Sequence, residues 1–319
     1  MGSGSAGKRH YYYACKNFPQ AKVFCLSFND VPLFTLNNFQ NFSDAKKFDA
    51  NLVIIANASI EHLRTLKLLI SETAYYVIEK PLSATPAKRE TTDELVNALA
   101  DRVILAYQLR FSQSLIRLKS ELISEKIGKI LYGNMCTGQY LPDWRKGTDY
   151  RTGVSARREL GGGVLNELSH EIDLIFWLFG SPVLQDVQIQ KRSNLDINVE
   201  DFVRISTFQN NSDSSDAWPL NLSLDMIRRD PVRVVEIVGE HGTLKWDGIS
   251  ETLSYFEPST NEWTLLLKDD SHPHDLLWEG ITNFVKTGSH EGAHLVDGVK
   301  VVDFIDEIRR ANQFRVEGL

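Results

Sequence analysis

The amino-acid sequence predicts an α/β protein of two domains: an N-terminal doubly wound parallel sheet lacking its first strand, then an α/β domain built on a large, mostly antiparallel open sheet. Three observations carry that prediction. A glycine turn opens the chain at Gly2-Ser3-Gly4-Ser5-Ala6-Gly7, short apolar runs then alternate with helical stretches up to residue 106, and after Phe111 the runs become alternating and β-branched. The expected boundary therefore divides 1–106 from 107–319, and the C-terminal helix is a candidate to pack back on the first domain.

Size and composition agree with this division. A single core stops growing at roughly 250 to 300 residues, and the chain has 319. It is 42% hydrophobic and 24% charged, and it has no apolar run near the ~18 residues of a membrane span, so a soluble protein is expected. Cys15, Cys25 and Cys136 are scattered without C-x-x-C spacing, which suggests neither a disulfide framework nor a thiolate zinc site and fits a reducing cytoplasm. A net charge of −7 argues against a nucleic-acid partner, which would want a basic surface.

Each glycine of the opening turn has a physical task. The first permits the tight turn, the second lets backbone approach a phosphate, and the third lets helix pack on strand, as in a Rossmann dinucleotide site. His10 to Lys16 supplies the following helix, and no signal peptide is read ahead of the glycines. Met1 leaves no room for the preceding strand, so the sequence predicts a sheet without it, through missing upstream residues or a natural deletion, with impaired cofactor binding as one consequence. Val23-Phe24-Cys25-Leu26 and Leu52-Val53-Ile54-Ile55 read as buried parallel strands. Helical stretches at Ser43 to Lys47 and Ile60 to Ser71 separate these from further strands at Tyr75 to Ile78 and Arg102 to Ala106. Ligands bind beyond the carboxyl ends of such strands, which here read Ser27-Phe28-Asn29-Asp30, Ala56-Asn57-Ala58-Ser59, Glu79-Lys80-Pro81 and Tyr107-Gln108-Leu109-Arg110.

In the second domain a helix at Ser114 to Ser124 precedes strands at Ile130 to Gln139, Val183 to Gln190, Phe202 to Phe208, Leu220 to Ile227, Arg233 to Val238, Gly242 to Trp246, Thr252 to Phe256 and Trp263 to Leu267. A strongly apolar helix at Gly163 to Phe179 interrupts them, and Leu276 to Lys286 and Val296 to Gln313 close the chain as helices. The polar, Ser-rich stretch Gln209 to Asp216 reads as a hairpin tip.

Two motifs carry chemistry. In Glu79-Lys80-Pro81 the proline holds Lys80 extended, so that its ammonium could orient a substrate hydroxyl or stabilise a developing alkoxide; the bland alternative is a surface lysine in a turn. The second motif, Gly161-Gly162-Gly163, opens into a helix on which Leu168, Ile172 and Ile175 share one face while Glu167 and His170 point away. The glycines would let backbone pass close to a ligand, and His170, oriented by Glu167, could exchange a hydroxyl proton near neutral pH. An ordinary helix-surface ion pair is the alternative. Glu167, His170 and Asp173 also have metal-ligand spacing, but no second His or Cys cluster completes a site, so no metal is expected. His272 and His274 flank Pro273 in what reads as a loop, and Tyr11, Tyr12 and Tyr13 read as a cover for the first helix.

Taken in order, the glycine turn, Ile54-Ile55-Ala56-Asn57-Ala58-Ser59 with His62, Glu79-Lys80-Pro81, Gln108-Leu109-Arg110-Phe111 and Gly161 to Asp173 resemble the Gfo/Idh/MocA family of NAD(P)-dependent oxidoreductases. The likeness spans nearly the whole chain, and Gly138 to Arg145 resembles members found with bacterial surface-polysaccharide and unusual-sugar biosynthesis. It implies an enzyme that moves hydride between NAD or NADP and a hydroxyl or keto carbon of a sugar, sugar nucleotide or cyclitol. It makes Lys80, His170 and Glu167 catalytic. It places Gly2, Gly4, Ser5, Ala6, Gly7, Asn57, Ala58, Ser59, His62, Glu79, Lys80 and Gln108 along the cofactor, and Arg110, Trp144, Arg145, Tyr150, Asn166 and His170 at the substrate. It further implies a cis Lys80-Pro81 bond and a homodimer or homotetramer formed through the second domain's sheet. Two positions depart from the family pattern: Asn166 stands where an aspartate is common, and Ser27-Phe28-Asn29 lacks the usual acidic ribose ligand, which leaves NAD against NADP open. A catalytically weak relative that binds a sugar or partner protein is the rival reading, and an enzyme with permanently bound cofactor is a third.

Overall fold

The computed structural model describes residues 4–26, 38–39, 41–209 and 217–317. The expected strand tip Ser27 to Asp30 and the Ser-rich hairpin tip lie outside these, as do Gly2 and Ser3. Contacts divide the chain into two units, 1–108 with 272–303, and 109–271 with 304–319.

The first unit holds two small parallel sheets and the helices between their strands. α1 (Ser5–Asn17) leads to β1 (Cys25–Leu26), which pairs in parallel with β2 (Asn38–Phe39). α2 (Phe42–Lys47) is capped by Asn41, whose side chain accepts from the Asp44 amide. β3 (Leu52–Ile55), α3 (His62–Leu69), β4 (Tyr75–Ile78), α4 (Arg89–Leu99) and β5 (Val103–Leu105) follow, and the three strands form a parallel sheet in the order β3-β4-β5. Their Val and Ile content fits a pleated surface buried on both faces. Ile55 aligns with Ile78, and Ile78 with Leu105, so the three strand ends carrying Asn57, Lys80 and Gln108 emerge side by side.

Sequence reading omitted α4 and β2. In α4 only Thr92, Leu95 and Leu99 are buried, a sparse apolar stripe among charged residues, and β2 has just two residues, too few for any period to show.

In the second unit α5 (Gln113–Ile123), β6 (Ile130–Gly138), α6 (Val164–Glu167) and α7 (Ser169–Phe179) precede a run of strands. These are β7 (Pro182–Gln190), β8 (Phe202–Gln209), β9 (Trp218–Asp225), β10 (Val232–Gly239), β11 (Gly242–Asp247), β12 (Thr252–Glu257) and β13 (Glu262–Lys268). They join one eight-stranded sheet in the order β13-β12-β11-β10-β6-β9-β8-β7. Every pair is antiparallel except β6 with β9, so hairpins build each half and β6, first in the chain, sits near the middle. Burial alternates strictly along β9, the mark of a sheet covered on one face. Trp246 is fully buried there and donates its indole N–H to Ser114 Oγ of α5 at 2.8 Å.

α8 (Pro273–Thr287) belongs to the first unit. Proline in its first turn and Gly288 at φ 79° after its end supply standard start and stop chemistry. Tyr13 and His10 of α1 pack on its Trp278, the tyrosine stacked at 6.1 Å. The boundary between the units falls inside α9 (Leu295–Glu317): its Gly298 meets Leu105 and Leu82 in the first, and its Phe304 meets Phe176 in the second.

Truncating Trp246 removes both its packing and a buried hydrogen bond. Trp246→Ala should lower unfolding stability by about 3–5 kcal/mol, read by urea denaturation.

Candidate active site

The residues singled out by sequence fall in both units, and each half is built locally. In the first unit α1 begins after Gly4 with no side-chain cap, and a Cβ at Gly4 would meet nothing within 4 Å. The protein's own packing therefore does not demand glycine at this position, and the amides of Ser5, Ala6 and Gly7 open the helix. β3 leads into Asn57, Ala58 and Ser59. Asn57 donates to Thr65 Oγ1 at 2.9 Å, while its Oδ1 is buried with no hydrogen-bond partner among the described residues. His62 lies beneath this turn, fully buried, with Nδ1 2.9 Å from the Pro81 carbonyl and Nε2 3.0 Å from the Asn57 carbonyl. Burial pushes its pKa down although both carbonyls pull the other way. With both nitrogens on main-chain oxygens, His62 ties the turn after β3 to the turn after β4.

That second turn holds Glu79 and Lys80, and the Lys80-Pro81 bond is cis. Glu79 Oε1 accepts from Arg9 Nη2 at 3.1 Å and lies 3.0 Å from His10 Nε2, and its Oε2 faces the Lys80 amide at 3.3 Å. Burial alone would raise this carboxyl. The His10 hydrogen bond and charge, aided by Arg9 and Lys80, outweigh it and hold the group well below the usual carboxylate range. Glu79 thus fastens α1 to the end of β4. Lys80 and Gln108 are half-buried at neighbouring strand ends.

In the second unit, the glycine run departs from expectation. Gly161 and Gly163 have φ of 85° and 107°, and a Cβ on Gly162 would come within 3.0 Å of the carbonyl oxygens of Val154, Ser155 and Arg157. Gly162 donates to the Arg157 carbonyl and Gly163 to that of Ser155. The close approach that demands glycine here is therefore to the chain's own backbone rather than to a ligand. Asn166 is buried and donates to the Gly161 carbonyl at 2.9 Å, fixing the same turn.

The single predicted helix is two, α6 and α7, broken at Leu168 (φ −101°, ψ 31°). Glu167, half-buried, ends α6, and His170, 5% exposed, lies in the first turn of α7. They consequently do not share one helical face as the spacing implied. Ser169 beside them is fully buried, with Oγ lacking a partner among the described residues.

Arg110 makes a fork with Asp173 of α7, Nε to Oδ2 at 2.9 Å and Nη2 to Oδ1 at 2.7 Å, both side chains nearly sealed from solvent. Its guanidinium positions α7. Glu171, also buried, accepts from Arg233 Nε at 2.8 Å. Trp144 donates to the Gln139 carbonyl at 3.0 Å, Arg145 is exposed, and the Tyr150 hydroxyl accepts from the Asp196 amide at 3.2 Å. Arg229 lies 3.4 Å over the Tyr140 ring. No cluster of metal-ligating side chains occurs among the described residues.

The family described as "Oxidoreductase family, C-terminal alpha/beta domain", of the Gfo/Idh/MocA group, matches residues 119–317, more than half of the chain. The chain belongs to the Gfo/Idh/MocA oxidoreductase family. No curated protein matches its sequence significantly. Among solved structures it is similar to a levoglucosan dehydrogenase in complex with NADH and levoglucosan, at 16% identity and TM-score 0.78 over 98% of this chain and 95% of that one. It is also similar to the WlbA dehydrogenase of Bordetella pertussis in complex with NADH and UDP-GlcNAcA, at 18% identity and TM-score 0.76 over 100% and 94% of the chains. A third is UDP-N-acetylglucosamine 3-dehydrogenase GnnA of Acidithiobacillus ferrooxidans, at 17% identity and TM-score 0.73 over 98% and 96%.

Within this family member, three groups that sequence reading gave no role are structurally central: Arg9, His10 and Arg233. Their signal was present only as unexplained cations, because the carboxylates they meet lie far away in sequence. His274 and His290 are likewise informative. Burial, then the charge of Arg9, pushes the His274 pKa down to about 4, and burial, then the charge of His294, does the same at His290.

Two predictions follow from these geometries. Gly162→Ala should destabilise by about 1–3 kcal/mol through overpacking against rigid carbonyls, measured by urea unfolding. Acid sensitivity should come in two windows. From pH 6.5 to about 4 the unfolded chain binds protons that native His274 and His290 refuse, so stability falls with pH, and His274→Gln or His290→Gln should flatten that slope. Below the ordinary glutamate pKa of about 4.3 the stability contributed by depressed Glu79 is lost in turn, and Glu79→Gln should remove this acid limb while lowering stability at pH 7. Denaturation midpoints at a series of pH values check both windows.

Proposed function

We propose that the protein is an NAD(P)-dependent dehydrogenase or reductase acting on a hydroxyl or keto carbon of a sugar, sugar nucleotide or cyclitol. The observation that carries this reading is the match of residues 119–317 to an oxidoreductase family. The substrate class rests on the three dehydrogenases above, which act on or carry levoglucosan or UDP-sugars.

The residues present fit a nicotinamide dinucleotide at two points. The uncapped start of α1, with open space on Gly4, suits a phosphate, and the unsatisfied Asn57 Oδ1 offers an acceptor at the adjoining strand end. Gly2, Gly4, Ser5, Ala6, Gly7, Asn57, Ala58, Ser59 and Gln108 would hold the group, with His62 and Glu79 setting the turns. When bound, it supplies the hydride donor or acceptor. Lys80 would hold the substrate oxygen and stabilise negative charge developing on it. His170 would take the hydroxyl proton as the alcohol becomes a carbonyl and return it in the reverse direction, a role suited to an imidazole. Trp144, Arg145 and Tyr150 are proposed at the substrate. The reading extends to a cytoplasmic homodimer or homotetramer assembled through the eight-stranded sheet, where Val183, Phe208, Trp263 and Leu265 leave apolar surface exposed.

A relative that binds a sugar or a partner protein without turnover is the second reading. It is favoured by Arg110, Asn166 and Glu79, whose Nε and Nη2, Nδ2 and carboxylate respectively make bonds within the chain. Nicotinamide fluorescence separates the two. Saturable NADH or NADPH binding with turnover of a sugar or nucleotide sugar is expected, and its loss by about 10²–10⁴-fold in kcat in Lys80→Ala and His170→Ala. Full turnover in both variants would remove the assigned roles, and no binding at millimolar cofactor would favour the second reading.

A further inference from the structure

The chain carries a net charge of −7, yet cations gather at one end of the eight-stranded sheet. There β6 and β9, which run parallel, both finish, with Gly138 opposite Asp225, and β10 begins, with Val232 opposite Gly138. Residues 143–158 and 225–233, which leave this end, hold eight Lys and Arg residues against four carboxylates, Asp143, Asp149, Asp225 and Asp230. The same end reaches the candidate base. Arg233, opposite Thr137 in the sheet, bonds Glu171, the neighbour of His170 in the first turn of α7.

Three of the four carboxylates are already engaged. Asp149 accepts from Arg151 Nε at 2.9 Å and Nη2 at 2.8 Å. Asp225 accepts from the amides of Ile227 and Arg228, and Arg228 reaches Asp230 at 3.3 Å and Cys136 Sγ at 3.6 Å. Arg145, Lys146 and Arg229 differ: all three are exposed, and none meets a carboxylate among the described residues. Their scaffold is nonetheless fixed. The Gln139 amide donates to the Asp225 carbonyl at 3.3 Å and the Leu141 amide to the Met226 carbonyl at 2.9 Å, so the loop after β6 stays paired with the turn before β10. Trp144 folds back onto the Gln139 carbonyl, and the Thr148 amide closes on the Arg145 carbonyl at 3.2 Å. Arg229 lies over Tyr140, its guanidinium carbon 3.4 Å from the ring centre. A stacked guanidinium keeps its N–H groups in one plane and clear of the ring, preorganised for a multi-oxygen anion. Three unmatched cations suit the charge of about −2 on a phosphate ester better than the single charge of a carboxylate.

We propose that Arg229, Arg145 and Lys146 form a phosphate-recognising site at this end of the sheet, so that the substrate is a phosphorylated sugar, as a sugar phosphate or a nucleotide diphosphate sugar, and not a neutral sugar or cyclitol. The assignment to a substrate rests on the reading of the protein as a sugar oxidoreductase. Arg229 sets specificity here, with Tyr140 holding its guanidinium flat.

The test is titration calorimetry on the full chain with inorganic pyrophosphate, glucose 1-phosphate, UDP-glucose, glucuronate and glucose. The phosphate-bearing ligands should bind, and glucose and glucuronate should bind at least about tenfold more weakly. Arg229→Ala and the double variant Arg145→Ala/Lys146→Ala should each weaken pyrophosphate by about tenfold, with Tm unchanged because all three side chains are exposed. UDP-glucose bound well ahead of glucose 1-phosphate assigns the group to a nucleotide sugar, and equal binding assigns it to a sugar phosphate. No pyrophosphate binding at millimolar concentration, binding that survives both variants, or glucuronate held as tightly as the phosphates overturns the proposal. NADH and NADPH titrations are read separately. Cofactor binding with turnover of a neutral sugar and no pyrophosphate binding removes this site and keeps the oxidoreductase reading, whereas variant-sensitive pyrophosphate binding without cofactor binding does the reverse.

Discussion

A carboxylate taken out of water must meet a cation or become neutral, and this constraint fixes the segments that hold the candidate residues. Glu79 is the first case. Its burial is compatible with a charge because α1 places Arg9 and His10 against it, so the helix that opens with the glycines and the strand that ends in Lys80 cannot shift independently. Asp173 and Glu171 repeat the device on α7, held by Arg110 and Arg233. His170 lies between neither pair but on the same helix turn as Glu171, and its backbone inherits the rigidity. In each unit the candidate acid, base or electrostatic group is thus adjacent in sequence to an anchored carboxylate. Preorganisation of this sort is what keeps reactive groups near productive geometry.

Much of this was legible in the sequence wherever one residue type answers one local demand. Short apolar runs located β3, β4 and β5, and alternating or β-branched runs located the strands of the eight-stranded sheet. Lys80-Pro81 and the Gly161 to Asp173 segment marked the candidate turns, and the Lys80-Pro81 bond is cis. What was not legible depended on partners distant along the chain. Arg110 reads as a substrate ligand in the sequence, which gives no sign that Asp173, 63 residues on, accepts from its Nε and Nη2. Gly162 reads as a ligand-facing hinge until the carbonyls of Val154 to Arg157 fill the space beside it. The break at Leu168 was hidden because the apolar period continues smoothly across it, so a pattern of 3.6 residues does not reveal a change of helix axis.

The half-buried β3 connects the fold to the site. Asn57, Ala58 and Ser59 follow directly from Ile55, and His62 bonds their turn to Pro81, so the position of the Asn57 carbonyl depends on how well β3 is held. β4 secures one edge through the register Leu52 with Tyr75 to Ile55 with Ile78. The opposite edge borders a cavity, where opening costs fewer contacts and local unfolding comes from the low end of the stability range. Order at the Asn57 turn and pairing along β3 are therefore one equilibrium. Any group that binds only the ordered turn must supply the free energy of ordering the strand as well, and its apparent affinity falls by the fraction of molecules in which the turn is formed.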